Sequence, residues 1–205
     1  MYKFAKQKDV IKMSKWCEDI IKKVQKEVKE YLTFSFNLIG SGAKKLVTQN
    51  ANESFDLDYN LIVQKDKQGL LDNPEQLKNI IRNAFDKILR KEVPTYKKAS
   101  DSKSVITIVF ADQIRRMFSF DVAIYVEADN GYIYRLINDK KTNRYIWNQV
   151  PKSKNYEDKM KLIKDNGEFN EFKNRYLELK NMHLKRGDEV KSFSIFLETL
   201  NEFSN

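Results

Sequence analysis

The sequence predicts an α+β protein in which a mixed β-sheet follows a long N-terminal helix and precedes C-terminal helices. Three observations support this: a helical apolar pattern opens the chain, alternating strands fill its middle, and helical patterns return after Pro151. The chain has 205 residues, of which 41% are hydrophobic, and such a chain can bury a core without disulfides. We expect residues 1–150 to form a core domain and residues 151–205 a helical region packed on it.

Helices are predicted from apolar side chains at steps of three and four residues. Residues 8–32 show this pattern with lysines between the apolar positions. Asn73 and Pro74 form a typical helix start, a capping residue followed by proline in the first turn, and this helix should run to Lys91. A short helix is expected at 43–47. The predicted C-terminal helices are 156–164, 168–182 and 188–203.

Strands are predicted where apolar and polar residues alternate between turn signals. The predicted strands are 34–39, 55–63, 104–110, 117–126, 132–137 and 144–147, with 95–98 as a short extended piece. The polar segment 49–54 is expected to be a loop. Residues 111–113 should form a hairpin turn, and Asn130-Gly131 marks another turn.

Composition limits the class of function. The net charge of +9 and pI near 9.3 favour polyanionic partners, although the scattered basic pairs are equally typical of a solvated surface. The single Cys17 excludes an internal disulfide, and the single His183 excludes a site that needs two histidines. No apolar run approaches the roughly twenty residues of a membrane span. Residues 1–8 are followed by a charged amphipathic run and not by the apolar run of a signal peptide. We therefore expect a cytoplasmic protein without a membrane partner.

Two aspartates share one face of the predicted strand 55–63. Asp56 and Asp58 alternate with Leu57 and Tyr59, so both carboxylates lie opposite the apolar side chains. Neighbours on one face are about 6–7 Å apart, and the two like charges repel unless a cation lies between them. Hard divalent ions such as Mg²⁺ bind paired carboxylates. For an Asp-x-Asp motif alone, the solvated face of an edge strand is the commoner explanation.

Two further features favour a metal site. Asp121 is an isolated carboxylate in the middle of the strongly apolar strand 117–126, where an acid without a partner or ligand is rare. If that strand adjoins the first, three carboxylates converge, which is enough to hold two metal ions. The strand 34–39 also runs into Gly40-Ser41-Gly42, whose small residues let backbone N–H groups approach a phosphate. By itself this segment would be an ordinary turn.

The combination resembles the DNA polymerase beta-like nucleotidyltransferase superfamily. The family pattern of an apolar residue with Gly-Ser, then acid-apolar-acid, then a third acid appears as Ile39-Gly40-Ser41, Asp56-Leu57-Asp58 and Asp121. With the long first helix, the likeness is nearest to the oligoadenylate synthase and bacterial cyclic-oligonucleotide synthase branch, and it covers residues 10–126. The spacer before Asp56 is long for the small antibiotic-modifying members, and the chain is shorter than typical cyclic-oligonucleotide synthases.

The resemblance implies a metal-dependent enzyme that moves a nucleoside monophosphate from an NTP, ATP by default, to a hydroxyl and releases pyrophosphate. Asp56 and Asp58 would bridge two Mg²⁺ or Mn²⁺ ions, and Asp121 would complete the ion that activates the acceptor hydroxyl. The expected nucleotide-binding residues are Gly40, Ser41, Gly42 and Lys45. Alternatives to this lysine are Lys44, Arg115 and Arg116, and candidates for base stacking are Tyr59, Tyr125 and Tyr145.

The sequence leaves the acceptor and the oligomeric state open. A second nucleotide, an RNA 3′ end, a protein side chain or a small molecule such as an antibiotic could each supply the hydroxyl. Two other classes of function remain as alternatives. One is a non-catalytic nucleotide or nucleic-acid binding module of the same fold. The other is a metal-dependent nuclease, which the Gly-Ser turn disfavours because hydrolysis needs no cradle for a triphosphate.

Overall fold

The computed structural model describes residues 1–51, 53–110, 118–151 and 156–203. The strands in this part of the chain are β1 (Tyr2–Phe4), β2 (Leu32–Ile39), β3 (Thr48–Asn50), β4 (Asp56–Asp66), β5 (Ser100–Asp101), β6 (Ile106–Phe110), β7 (Phe118–Glu127), β8 (Ile133–Asp139) and β9 (Arg144–Gln149). The helices are α1 (Gln7–Glu27), α2 (Gly40–Lys44), α3 (Pro74–Glu92), α4 (Tyr156–Asp165), α5 (Phe169–Arg186) and α6 (Ser192–Glu202), and a 3-10 turn at Leu70–Asp72 precedes α3. The predicted α+β class is confirmed.

The chain divides into two compact units. The described residues of Met1–Ala5, Thr48–Asn52 and Pro151–Asn205 form one, which we call the helical unit. Lys6–Val47 and Glu53–Val150 form the other, which we call the sheet unit. The predicted division into residues 1–150 and 151–205, with the second region packed on the first, stays a prediction. None of the helices in the described ranges has the length and apolar composition that crossing a membrane would require.

The sheet unit contains a seven-stranded mixed sheet in which β4 and β7 are the central strands. β4 pairs antiparallel with β2 on one side and parallel with β7 on the other. The far edge of β7 is shared, because β6 pairs with its first half and β8 with its second half, both antiparallel. β5 then extends the sheet from β6, and β9 extends it from β8. Two neighbouring strands of parallel direction thus lie at the middle of the sheet.

The alternation of side chains along β4 and β7 gives the sheet two different faces. Leu57 and Tyr59 from β4 are buried, as is Phe120 from β7. Trp16 of α1 and Phe85 of α3 both contact the Phe120 ring edge-on, with ring centroids 6.5 and 6.0 Å away. Helices α1 and α3 therefore cover the apolar face. The opposite face carries the polar residues of the same two strands.

A buried ion pair holds the β8–β9 hairpin against α3 and β5. The Lys78 ammonium on α3 lies 2.5 Å from an Asp101 carboxylate oxygen. Tyr145 of β9 donates a hydrogen bond to the other oxygen of Asp101, and Asn138 of β8 donates to it at 3.1 Å. Because one carboxylate joins residues from four elements, the position of β8 relative to the rest of the sheet is well defined.

In the helical unit, the N-terminal strand is tied to helix α5. β1 pairs antiparallel with β3. Asn181 of α5 accepts a hydrogen bond from the Tyr2 backbone N–H at 2.7 Å and donates one to the Tyr2 carbonyl at 3.1 Å. His183 contacts the carboxylates of Asp188 and Glu198 at 3.0 and 3.2 Å, which joins the end of α5 to the following loop and to α6.

Most predicted elements are present with ends shifted by a few residues, and the largest shift is at the end of the first helix. The pattern predicts a helix over 8–32, but α1 ends at Glu27. Leu32 instead pairs with Asp66 and begins β2. Val28 and Leu32 are both buried, so their spacing fits a helix although the chain turns between them. The cap at Asn73 is confirmed, since its side chain accepts a hydrogen bond from the Gln76 N–H at 3.1 Å.

Three local predictions are wrong. The short helix expected at 43–47 lies at Gly40–Lys44, because Lys45 turns into the left-handed region at φ 60° and the apolar Leu46 and Val47 are buried beyond it. The segment 95–98 contains no strand; Tyr96 is buried there and donates a hydrogen bond to Asp86. The expected loop at 49–54 begins inside β3. The predicted hairpin turn at 111–113 lies outside the described residues.

Candidate active site

The three predicted aspartates lie on the polar face of the two central strands. In the parallel register of β4 and β7, Asp58 is directly opposite Asp121, and Asp56 is directly opposite Ser119. Adjacent strands are about 4.8 Å apart, so the Asp58 and Asp121 backbones are close neighbours. The register brings together carboxylates that are far apart in the sequence.

The electrostatics of this pair favour a bound cation. Burial, together with the nearby carboxylates of Asp121 and Asp56, raises the pKa of Asp58 to about 6. Burial likewise raises the pKa of Asp121, and Asp56 adds to that rise. Both shifts show that the ionised forms are poorly solvated and repel each other. A divalent cation between the carboxylates would remove the repulsion.

Gly40 adjoins the Asp58 carboxylate because Ile39 at the end of β2 is paired with Asp58. Gly40 has a φ of +62°, and a Cβ atom placed there would lie 2.7 Å from Asp58 Oδ2. Glycine is therefore needed for two reasons, the left-handed backbone and the space that Asp58 occupies. The small residue predicted to contact a phosphate also makes room for a carboxylate.

The rest of the Gly-Ser-Gly segment forms α2 and the turn that ends it. The Leu46 N–H donates to the Ser41 carbonyl at 2.9 Å, and the Lys45 N–H donates to the Gly42 carbonyl at 3.2 Å. These two bonds, together with the left-handed conformation of Lys45, form the Schellman motif at the end of α2. Gly42 is packed tightly, since a Cβ atom there would lie 2.9 Å from a Leu38 side-chain carbon.

The structure distinguishes the two lysines of this segment. Lys44 is half-buried, its ammonium donates to the Gly40 carbonyl at 3.4 Å, and its charge lowers the pKa of Asp58. Lys45, the lysine selected from the sequence, is exposed at the helix end. Lys44 is thus the lysine whose charge acts at the aspartates, and a role of Lys45 in nucleotide binding stays a prediction. Arg115 and Arg116 lie outside the described residues.

Arg135 is a cation near the site that the sequence pattern did not indicate. It lies on β8 opposite Tyr125 of β7, on the same sheet face as the aspartates. Its guanidinium lies 5.7 Å from the Tyr125 ring centre, and its Nε donates to the Ser104 carbonyl at 3.1 Å. Its charge lowers the pKa of both Asp58 and Asp121. The Asn130-Gly131 turn, from which the hairpin register can be counted, is the signal that could have revealed it.

The donor set suits a hard divalent ion, although the described residues contain no group of three His, Cys, Asp or Glu side chains already arranged to hold a metal. Asp56 accepts a hydrogen bond from the Ser119 hydroxyl. The Asp58–Asp121 pair supplies oxygen ligands of the kind that Mg²⁺ prefers. Asn60, two positions beyond Asp58, has a buried carbonyl oxygen with no hydrogen-bond partner among the described residues. This face therefore contains a buried amide oxygen that accepts no hydrogen bond from the described protein groups and could bind a cation.

The three candidate stacking tyrosines differ in their surroundings. Tyr59 points into the core, where its hydroxyl lies 3.0 Å from that of Ser14 on α1. Tyr145 donates its hydroxyl to Asp101. Tyr125 is half-buried on the polar face beside Arg135. Of the three, Tyr125 alone shares a sheet face with the aspartates in the described structure.

Comparison with known proteins gives a likeness of fold. No protein-family model matches the chain, and no curated protein matches it in sequence. Among solved structures, the Vibrio cholerae di-nucleotide cyclase DncV in complex with GTP and 5MTHFGLU2 covers 85% of this chain with a TM-score of 0.59 and 14% identity. Escherichia coli MS115-1 CdnC with ATP covers 94% with a TM-score of 0.55 and 16% identity.

A third structure, the Elizabethkingia meningoseptica CdnE cyclic dinucleotide synthase with GTP and Apcpp, covers 92% of this chain with a TM-score of 0.54 and 12% identity. The matches take in 48%, 58% and 68% of the DncV, CdnC and CdnE chains, so this chain spans about half to two thirds of their lengths. The sequence resemblance is thereby confirmed at the level of fold: the chain shares its fold with the di-nucleotide cyclase and cyclic dinucleotide synthase structures.

Proposed function

We propose that the protein is a metal-dependent nucleotidyltransferase that moves a nucleoside monophosphate from an NTP to a hydroxyl and releases pyrophosphate. The observation that carries the proposal is the pairing of Asp58 with Asp121 on two central parallel strands, with the Gly40 backbone against Asp58. Two carboxylates with raised pKa values on one face suit a cation, and the adjoining glycine suits the approach of a phosphate. The shared fold supports the same reaction class.

The carboxylates of Asp56, Asp58 and Asp121 would hold the Mg²⁺ or Mn²⁺ ions. When bound, such ions stabilise the charge that develops on the attacking and leaving oxygens. The protein itself would contribute positioning and electrostatics, because Cys17 is buried in the core away from this face.

The basic residues flank the aspartates on two sides. Gly40, Ser41 and Gly42 with Lys44 or Lys45 lie at the β2 side and would bind the triphosphate. Arg135 lies across β7 from them, so a phosphate-bearing substrate over Asp58 and Asp121 would be between positive charges. A guanidinium that stacks on Tyr125 is well placed to bind phosphate oxygens through two parallel N–H groups.

A second nucleotide is the acceptor that the comparisons favour. DncV is a di-nucleotide cyclase that binds GTP, and CdnE is a cyclic dinucleotide synthase with bound GTP and Apcpp. The positive charge of the chain also suits a nucleotide or an RNA 3′ end. A small molecule or a protein side chain as the acceptor remains the alternative, and ATP is our first candidate for the donor.

The proposal is tested by incubating the protein with Mg²⁺ or Mn²⁺ and each labelled NTP. We expect pyrophosphate release that is lost in D58N and in D121N, with both variants folded. D129N is the matched control, since Asp129 is exposed in the turn before β8, and it should keep full turnover. Turnover retained in D58N and D121N contradicts the assignment.

Chromatography of the products then identifies the acceptor. A cyclic or linear oligonucleotide formed from NTPs alone selects a nucleotide acceptor. Turnover only after RNA, protein or an aminoglycoside is added selects the corresponding alternative. NTP binding with no turnover under any of these conditions would instead support a non-catalytic binding module.

A further inference from the structure

We propose that Thr107 and Ser119 are positioning residues, whose hydroxyls orient the Asp121 and Asp56 carboxylates for metal binding. The inference rests on the proposed function of the three aspartates, and it concerns residues to which neither the motif nor the comparisons give a role. Each hydroxyl residue is on the strand next to its aspartate and directly opposite it in the sheet register. Both pairs adjoin Asp58: Asp121 is opposite it in the register, and Asp56 is two residues before it on β4.

The Thr107 pair joins β6 to β7. Thr107 is the cross-strand partner of Asp121 in the antiparallel register, so both side chains project from the same face of the sheet. Directly opposed side chains have Cβ atoms roughly 4.5–5.5 Å apart, within reach of a hydroxyl-to-carboxylate hydrogen bond. The Thr107 hydroxyl donates that bond to Asp121.

A second hydroxyl fixes the direction of the first. The Ser102 Oγ lies 3.2 Å from the Thr107 Oγ1, and either atom could be the donor between them. When Ser102 donates, the Thr107 proton is left for Asp121, and the three groups form a chain of hydrogen bonds that ends on the carboxylate. Ser100 gives a contrast, because its hydroxyl donates at 3.4 Å to the Thr107 backbone carbonyl and leaves the Thr107 hydroxyl alone.

The Ser119 pair joins β7 to β4. Ser119 is the parallel-register partner of Asp56, and its hydroxyl donates to Asp56 Oδ1. This bond uses one carboxylate oxygen and leaves the second oxygen as a ligand. The hydroxyl thus restricts the rotamer of the Asp56 carboxylate, which is otherwise exposed.

Asp58 is placed differently. Its carboxylate fills the space left by the missing side chain of Gly40, and it is more buried than Asp56. The Asp58 carboxylate is therefore fixed by packing, whereas the carboxylates of Asp56 and Asp121 are fixed by hydrogen bonds. Groups that orient metal ligands in this way affect metal affinity or activity by about 10–100-fold.

The test measures Mn²⁺ binding by the full chain. Electron paramagnetic resonance measures the free Mn²⁺, and calorimetry measures the binding directly. T107V keeps the shape of the side chain and removes the hydroxyl, whereas T107S keeps the hydroxyl. We expect T107V and S119A each to weaken Mn²⁺ binding about tenfold or more, and T107S to restore it. S102A should give a smaller loss, and S100A should bind Mn²⁺ as the unmodified protein does.

The outcomes separate this inference from the proposed function. Mn²⁺ binding that disappears in D58N but is unchanged in T107V or S119A overturns the role of that hydroxyl and leaves the metal site standing. Absence of NTP turnover in a protein that binds Mn²⁺ overturns the proposed function, while the variant series still tests the hydroxyls. If T107V fails to fold, a loss in S102A with none in S100A supports the Thr107 role, and equal binding in these two variants overturns it.

Discussion

Replacing Gly40 by alanine should damage the site more than it damages the fold. The new Cβ would lie 2.7 Å from Asp58 Oδ2, well inside van der Waals contact, so the carboxylate must move by several tenths of an ångström. The left-handed backbone at φ +62° adds about 1–2 kcal/mol of destabilisation for any residue with a Cβ. A misplacement approaching 1 Å at a reacting centre costs up to about 100-fold in rate. We expect G40A to lose about 10–100-fold in turnover and in Mn²⁺ affinity.

Gly69 offers a matched control on the same chain. Its φ is +71°, close to that of Gly40, and a Cβ atom there would meet nothing within 4 Å. G69A should therefore lose the same 1–2 kcal/mol or so of stability and keep its metal binding and turnover. Urea unfolding measures the first quantity, and Mn²⁺ titration with pyrophosphate release measures the second. If G40A and G69A behave alike in both assays, the contact between Gly40 and Asp58 has no functional meaning.

Three further predictions concern the groups around the site and the helical unit. Because the pKa of Asp58 is raised to about 6, its ionisation destabilises the metal-free fold, so the thermal midpoint should fall as the pH rises through 6, and less in D58N. Y59F removes a hydroxyl that contacts the Ser14 hydroxyl and donates to the Ser14 carbonyl. Urea unfolding should show a loss of about 1 kcal/mol, which should be smaller when S14A is already present. Hydrogen bonds to Asp188 and Glu198 raise the pKa of His183. The unmodified protein should therefore be more stable than H183Q at acid pH, and this difference should shrink as the pH rises through the raised pKa.

Each of these predictions has a contradicting result. A thermal midpoint whose pH dependence is the same with and without the Asp58 carboxylate would show that this group is well solvated. Full additivity of Y59F and S14A would mean that the two hydroxyls do not interact. A stability difference between H183Q and the unmodified protein that does not depend on pH would show that the charge of His183 does not contribute to stability.

A strand is predictable from the sequence where apolar and polar side chains alternate, because the alternation indicates which face is buried. In β4 the alternation of Leu57 and Tyr59 with Asp56 and Asp58 is a local pattern, and the strand places these residues on the faces that the pattern predicts. The parallel pairing that sets Asp58 opposite Asp121 is not local. The three-part motif indicated it only through the family resemblance, and it became visible when the register was known.

The misses have the same physical origin. Nothing in the polar segment Thr48–Asn50 predicts a strand, since its pairing partner β1 is at the start of the chain. Arg135 reaches the aspartates only through the register of β8 on β7. The sequence does not distinguish Lys44 from Lys45, because the left-handed turn at Lys45 precedes the buried Leu46 and Val47 and depends on their packing. Each miss depends on contacts between distant segments.

The parallel register of β4 and β7 also has a consequence for folding. Parallel strands cannot be joined by a tight turn, so α3, β5 and β6 must all be traversed before β7 can add to β4. A slip of one residue would turn Asp121 into the apolar core, and a slip of two would set it beside Asp56 or Asn60. Metal affinity is thus acquired only at the end of correct assembly. In a refolding experiment, the return of Mn²⁺ binding would mark the molecules whose sheet has closed in register.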